Sequence, residues 1–412
     1  MQTLETRRTM NFVFVSLQQI NTDRESTSTS LAKELSKNHR VLYVNPPIDR
    51  KTLLLKRKDK FIRERIDAIK RKEKALIQET ENLWILNPVN IIESINWLPF
   101  TFLFRIFNRL NNKRLASEIK ESLRILQFDS FIVVNDKDMF RSFYLKELLK
   151  PSLYIYLDRD YTLGFDYWKK HGKILEPELI KKADVVVCNS LDFTKNAKRY
   201  NENSYYIENG ADLDNFNPEK VWHKPDELEV LERPLIGYVG ALNSQRLDIQ
   251  LLEELASSLK KGTLVLIGPE DDLFKQSKLH QLPNICFIEK RHMHIVPAYV
   301  KHFDVCINPQ AVNEITIGNF PLKIVEYLAM GRPVVATSTN TMQEVFSSYC
   351  YLAKTPREFT DRIEKALEED SPELSQSRMK YAGNFSWENV AGNLLHCINE
   401  ISTKKRSFDR FY

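Results

Sequence analysis

Residues 316–337, TIGNFPLKIVEYLAMGRPVVAT, read as a loop, a helix and a strand in one run. Pro321 suits the first helical turn, where a missing N–H costs nothing; Gly331 suits the position just past the helix end, and Pro333 opens the β-branched run 334–337. Lys323 and Glu326 are three residues apart and so share one face of that helix, with Asn319 in the loop leading in. Backbone N–H groups at the helix start, together with Lys323, have the chemistry to hold a diphosphate. Glu326, one turn on, can accept from the two vicinal hydroxyls of a ribose. The plainer alternative is a solvated Lys–Glu pair.

Outward from this unit the pattern repeats in both directions. Short β-branched or aromatic runs at 12–16, 41–45, 83–86, 131–135, 153–157, 185–189 and 204–207 alternate with helical stretches at 29–37, 58–74, 102–125, 139–149 and 191–200. After a charged, proline-containing stretch at 218–234 it restarts, with strands expected at 236–239, 264–267, 285–288, 305–308, 334–337 and 349–352. Such alternation is the mark of α/β architecture with parallel sheets, here two Rossmann-like, doubly wound domains in tandem. The expected division is 1–207, 208–385 and a terminal amphipathic helix from 386–412, which can pack across the cleft of a two-domain protein.

Glycine usage narrows where anions can bind. The chain of 412 residues has 11 glycines; none lies in the first 163 positions and seven lie between 210 and 331. A glycine-free stretch cannot form a GxGxxG or Walker A loop, so phosphate chemistry belongs to the second half. There, PLIGYVGALNSQRLDIQLLEELA (234–256) puts Gly240 just after a strand and Arg246 near an expected helix start, where both can serve an anion; a plain tight turn explains the same residues. Five widely spaced cysteines without a CxxC read as reduced, buried thiols. No apolar run is long enough to span a membrane or to act as a signal segment, which points to a cytoplasmic protein.

NGADLDNF (209–216), GYVGAL (237–242) and PLKIVEYLAMGRPVVAT (321–337), in this order, resemble the GT-B glycosyltransferases, especially glycosyltransferase family 4 and its bacterial relatives. FSWENVAGNLL (385–395) is similar to that family's terminal helix, whereas the first half is similar in architecture only. The resemblance implies two domains facing a central cleft and a C-terminal domain that binds a UDP- or GDP-linked sugar, with no separate cofactor. It also implies that Arg246 and Lys323 hold the diphosphate, that Glu326 binds ribose, and that the loop at Lys290 and Arg291 lies near the base. Where the family usually carries a glutamate eight residues before the ribose ligand, this chain has Gly318, which lets backbone approach the donor.

The acceptor side falls to the first domain. Loops at 18–25 and at Asp158, Arg159 and Asp160 follow strands there, and Asp158 or Asp160 could act as a general base or orient an acceptor hydroxyl; loop caps or surface pairing with Arg159 are the alternative. His292 and His294 alternate without a third ligand and read as structural, so no metal is expected. Residues 1–210 carry 37 Lys+Arg against 27 Asp+Glu, whereas the remainder carries 23 against 28. Within the basic half, 50–74 has a net charge of +8, and INWLPFTFLFRIFNRLNNKR (95–114) mixes aromatics with four basic residues and no acidic one. An anionic membrane surface fits this mixture better than nucleic acid does, the competing reading being core aromatics beside a solvated face.

The expectation is therefore a membrane-peripheral glycosyltransferase that moves a sugar from a nucleotide-diphosphate donor to a glycan or lipid-linked acceptor of a bacterial cell-surface polysaccharide. A nucleotide-sugar epimerase and a catalytically silent scaffold are the alternatives.

Overall fold

The computed structural model describes residues 9–20, 26–55, 60–71, 75–316 and 318–408. It divides into two units, one of residues 1–207 with 390–412 and one of residues 208–389.

The first unit is built on an eight-stranded sheet of β1 (Asn11–Ser16), β2 (Arg40–Val44), β3 (Leu76–Thr80), β4 (Leu83–Leu86), β5 (Ile132–Asp136), β6 (Leu153–Asp158), β7 (Val185–Cys188) and β8 (Ser204–Tyr206), in the order β3-β4-β2-β1-β5-β6-β7-β8. Every pairing is parallel except β3 with β4. Strands covered on both faces must be apolar throughout, which is why FVFV, VLYV and VVVC appear as unbroken runs. The helices Thr101–Leu126 and Asp166–Lys182 cover one face, burying Phe104, Leu115, Ile119, Leu175 and Leu179 against Val13, Val133 and Tyr154. Ser26 caps the first helix, Thr27–Ser36, in a reciprocal capping box with Thr29.

The second unit carries six parallel strands, β9 (Leu235–Val239), β10 (Thr263–Ile267), β11 (Ile285–Ile288), β12 (Val305–Asn308), β13 (Val334–Thr337) and β14 (Tyr351–Ala353), in the order β11-β10-β9-β12-β13-β14. Alternate residues serve two cores: Cys306, Val334 and Ala336 meet Ile324, Leu328 and Phe303, while Ile236, Val305 and Val335 meet Leu255 and Ile363. The terminal helix Trp387–Phe408 belongs to the first unit from Val390 onward and buries Val390, Leu394, Ile398 and Ile401. All five cysteines are free, and among the described residues no helix is long and apolar enough to cross a membrane.

Three local expectations need correction. The strand β3 is not foreseen, because LIQET is a largely exposed edge strand, paired with β4, that lacks an apolar face. The helix expected over 139–149 is confined to Leu145–Leu149, since Asp138 Oδ1 accepts from the backbone N–H groups of Phe140 and Arg141 and holds turns there. The helix expected over 58–74 is observed as Lys60–Lys70, and a separate helix, Arg50–Leu55, precedes it unforeseen; positions 56–59 and 72–74, like 21–25 of the first loop, lie outside the described residues.

Candidate active site

In a doubly wound sheet the strand order reverses at one point, and ligands bind beyond the carboxyl ends of the two strands that flank it. In the second unit those strands are β9 and β12, so the crevice begins at Gly240 and Asn308. Gly240 has φ +151°, and a Cβ there would sit 2.8 Å from Tyr238 Oη and 3.2 Å from Lys323 Nζ. Behind it Gly268, φ +148°, comes so close that its Cβ would lie 1.9 Å from Gly240 O. Two strand ends thus approach as bare backbone, leaving an uncluttered floor.

Lys323 stands in the first turn of the helix Leu322–Ala329, which follows Pro321 and ends before Gly331 at φ +72°. Its Nζ donates to Tyr238 Oη at 3.0 Å and lies 4.6 Å from the centre of that ring, so the ammonium is held directly above Gly240. Glu326 is one turn further on. Among the described residues its carboxylate has no hydrogen-bond partner, and burial pushes it up to about 7, against the pull of Lys323 and with a further push from Asp212. Asp212 belongs to the NGADLDNF loop, so that motif and PLKIVEYLAMGRPVVAT are brought together electrostatically. An acceptor-only side chain kept half-buried without a donor is suited to a ligand's hydroxyls.

Among the described residues two more polar atoms at this edge lack partners: Asn319 Oδ1, beside buried Gly318, and Asn308 Nδ2 at the end of β12. Asn308 has no signal in the sequence, where VCIN reads as the close of a buried strand. Arg246 is exposed, and it lies in the loop before the helix Ile249–Ser258 rather than at its start, because Asp248 is the cap. That loop is tied to the segment after β12 by Ala311 N–H donating to Arg246 O at 3.0 Å and Asn313 Nδ2 donating to Gln245 O at 2.8 Å. Arg291 stands apart from this group: its Nη2 donates to Glu227 at 2.6 Å and its Nε to Tyr299 Oη at 3.0 Å, holding the Glu227 carboxyl below its usual range. His292 and His294 stack on one another around a 3₁₀ turn rather than a strand edge.

The corresponding edge of the first unit is filled by its own charges. The flanking strands β1 and β5 are joined by Ser16 Oγ donating to Asp136 Oδ2 at 2.6 Å. Arg159 clamps the same carboxylate through Nε at 2.5 Å and Nη2 at 2.9 Å, then reaches Asp160 through Nη1 at 3.0 Å. Burial would raise Asp136, but Arg159 and the serine hydroxyls hold it below its ordinary value. Asp158 is buried and accepts from Lys137 Nζ, which also donates to Glu176 at 2.6 Å; Tyr156 Oη donates to that same Glu176 oxygen at 2.8 Å. Burial pushes Asp158 up to about 6, Lys137 pulls it down and Glu176 pushes it up. Of the two aspartates singled out from sequence, Asp158 is therefore committed to a buried ion pair, whereas Asp160 is half-exposed.

Comparison with known proteins adds three findings. Residues 233–369 match the family described as Glycosyl transferases group 1. The "Putative teichuronic acid biosynthesis glycosyltransferase TuaH" of Bacillus subtilis (strain 168) is 27% identical over 234 residues, 54% of this chain and 58% of that protein, so the match spans little more than half of the relative's length. Among solved structures, sucrose-phosphate synthase from Thermosynechococcus elongatus superposes with a TM-score of 0.68 at 14% identity over 96% of this chain and 100% of that one. Anabaena HepE in complex with UDP superposes with a TM-score of 0.64 at 14% identity over 95% and 100%. At such identity these structures speak for the fold, which is GT-B.

Proposed function

We propose, on the premise that residues 233–369 form a group 1 glycosyltransferase domain within a GT-B fold, that this protein transfers a sugar from a nucleoside-diphosphate donor to a glycan or lipid-linked acceptor in cell-surface polysaccharide synthesis. The observation that carries this reading is the edge at β9 and β12: bare glycine backbone, the Lys323 ammonium over it, and an unpartnered Glu326 one turn away. The UDP bound by HepE and the teichuronic acid role in the name of TuaH support the donor and pathway class.

Catalysis in this reading rests on the leaving group. Lys323, Arg246 and the N–H groups opening the helix Leu322–Ala329 neutralise the departing diphosphate, Glu326 accepts from ribose hydroxyls, and the backbone at Gly318 and the Asn319 amide face the donor sugar. No metal or separate cofactor takes part. Asp160, held by Arg159, orients or deprotonates the acceptor hydroxyl, and Asp158 serves through the buried pair beneath it. The enzyme works on the cytoplasmic side, peripheral to an anionic membrane that carries the acceptor.

A thermal-shift panel of UDP, GDP, ADP, CMP and their sugars tests the reading. One nucleoside diphosphate and one of its sugars should raise the Tm of the wild-type chain and fail to raise that of Lys323→Ala. No response to any of them would count against a donor site.

A further inference from the structure

The aromatic segment 95–114 is not core. Of its five aromatic rings only Phe104 is buried, stacking on His171 at 4.3 Å, whereas Trp97 is 73% exposed and Phe102 61% exposed. Phe102, Ile106 and Leu110 follow at intervals of four along the helix Thr101–Leu126 and stay in solvent as one stripe, and Phe100 stacks on Phe102 at 5.8 Å. Water-facing rings in such a row carry a standing free-energy cost, and a patch of this kind marks a surface that meets something.

Two neighbouring elements extend the stripe. Ser94 joins it to the helix Arg50–Leu55: Lys51 N–H donates to Ser94 Oγ at 2.8 Å, Ser94 Oγ donates to Asp49 at 2.8 Å, and Trp97 Nε1 donates to Ser94 O at 2.8 Å. That helix ends on Leu54 and Leu55, both exposed. On the other flank Asn96 Nδ2 donates to Tyr167 O at 2.6 Å and Lys170 Nζ to Trp97 O at 3.0 Å, bringing up the exposed Lys169, Lys170 and Lys173 of the helix Asp166–Lys182. Two acidic groups of this set are spoken for, Glu93 bonded to Arg50 and Arg114 and Glu178 to Arg105; Asp166 at the start of the helix Asp166–Lys182 is exposed, as are Arg109 and Lys113.

From this arrangement we infer that the face made by Leu54, Leu55, Trp97, Phe100, Phe102 and Ile106 is the surface by which the enzyme docks onto an anionic lipid bilayer. The rings enter the headgroup layer, and the lysines of the helix Asp166–Lys182 meet lipid phosphates around them. Exposed aromatics flanked by exposed cations match the two halves of such a surface, an apolar boundary beneath a negative one. This inference rests on the membrane-peripheral reading above and is independent of the donor assignment.

The test is co-sedimentation with vesicles of phosphatidylcholine containing phosphatidylglycerol, set against phosphatidylcholine alone. The wild-type chain should bind the anionic vesicles, and Trp97→Ser/Phe102→Ser should bind at least about tenfold more weakly. Lys169→Glu/Lys173→Glu should remove the salt-sensitive part of binding. All variants should keep the wild-type Tm and the wild-type response to nucleotide, which separates this result from failure of the donor site. Wild-type binding that the aromatic variant leaves intact overturns this face while sparing the membrane reading. Wild-type failure to bind overturns both. Self-association abolished by Trp97→Ser/Phe102→Ser, without vesicle binding, overturns the inference in favour of a contact between copies.

Discussion

The two sheets end their switch points in opposite ways. In the first unit Ser16 and Asp136 bridge β1 to β5, Arg159 fills the carboxylate behind them, and Lys137, Asp158 and Glu176 satisfy one another beside it. In the second unit β9 runs into Gly240 and β12 ends on Asn308, and among the described residues the Asn308 amide nitrogen and the Glu326 carboxylate have no hydrogen-bond partner. The same doubly wound architecture therefore yields one switch point whose charges satisfy one another and one that leaves polar groups without partners among the described residues. Buried charge organises a surface from below in the first case, and exposed binding capacity is stored in the second.

Removing a charge from the closed edge should have the largest effect. Lys137→Ala strands Asp158 and Glu176 in the interior and should cost about 3–5 kcal/mol in denaturant unfolding. At the open edge Gly268→Ala forces a Cβ against Gly240 O in a backbone region that alanine avoids; a loss of about 1–3 kcal/mol in the same assay is expected, with weakened nucleotide binding. Lys323→Ala should leave stability nearly unchanged but lower nucleoside-diphosphate affinity about 10- to 100-fold, the scale of a lost charge-assisted bond.

A further difference between the edges concerns pH. Glu326 sits at about 7 when folded against an ordinary 4.5, so between those values the folded chain holds a proton that the unfolded chain releases. Stability should fall as pH rises through that window, and Glu326→Gln should flatten the fall. Nucleotide affinity should strengthen over the same interval in the wild type alone, as the carboxylate becomes available to hydroxyl donors. A pH series of melts and titrations on both proteins checks each slope.

Much of this was legible in sequence where the physics is local. β12 and β13 match the runs at 305–308 and 334–337 because strands buried on both faces must be continuously apolar. Lys323 and Glu326 share a face because helical spacing dictates it. What escaped depends on distance or on exposure. Ser16 meets Asp136 across 120 positions, and Lys137 meets Glu176 across 39, so no window on the chain contains either pair. The edge strand β3 is polar, Asn308 is disguised by its apolar neighbours, and Arg291 finds Glu227 only through the fold.

Calorimetric titration of UDP and GDP into the wild-type chain, Lys323→Ala and Asp160→Asn places the donor on one edge or the other. One of the two nucleotides should bind the wild type and Asp160→Asn equally and bind Lys323→Ala at least about tenfold more weakly. Binding that survives Lys323→Ala and is lost in Asp160→Asn would contradict the assignment of the open edge to the donor.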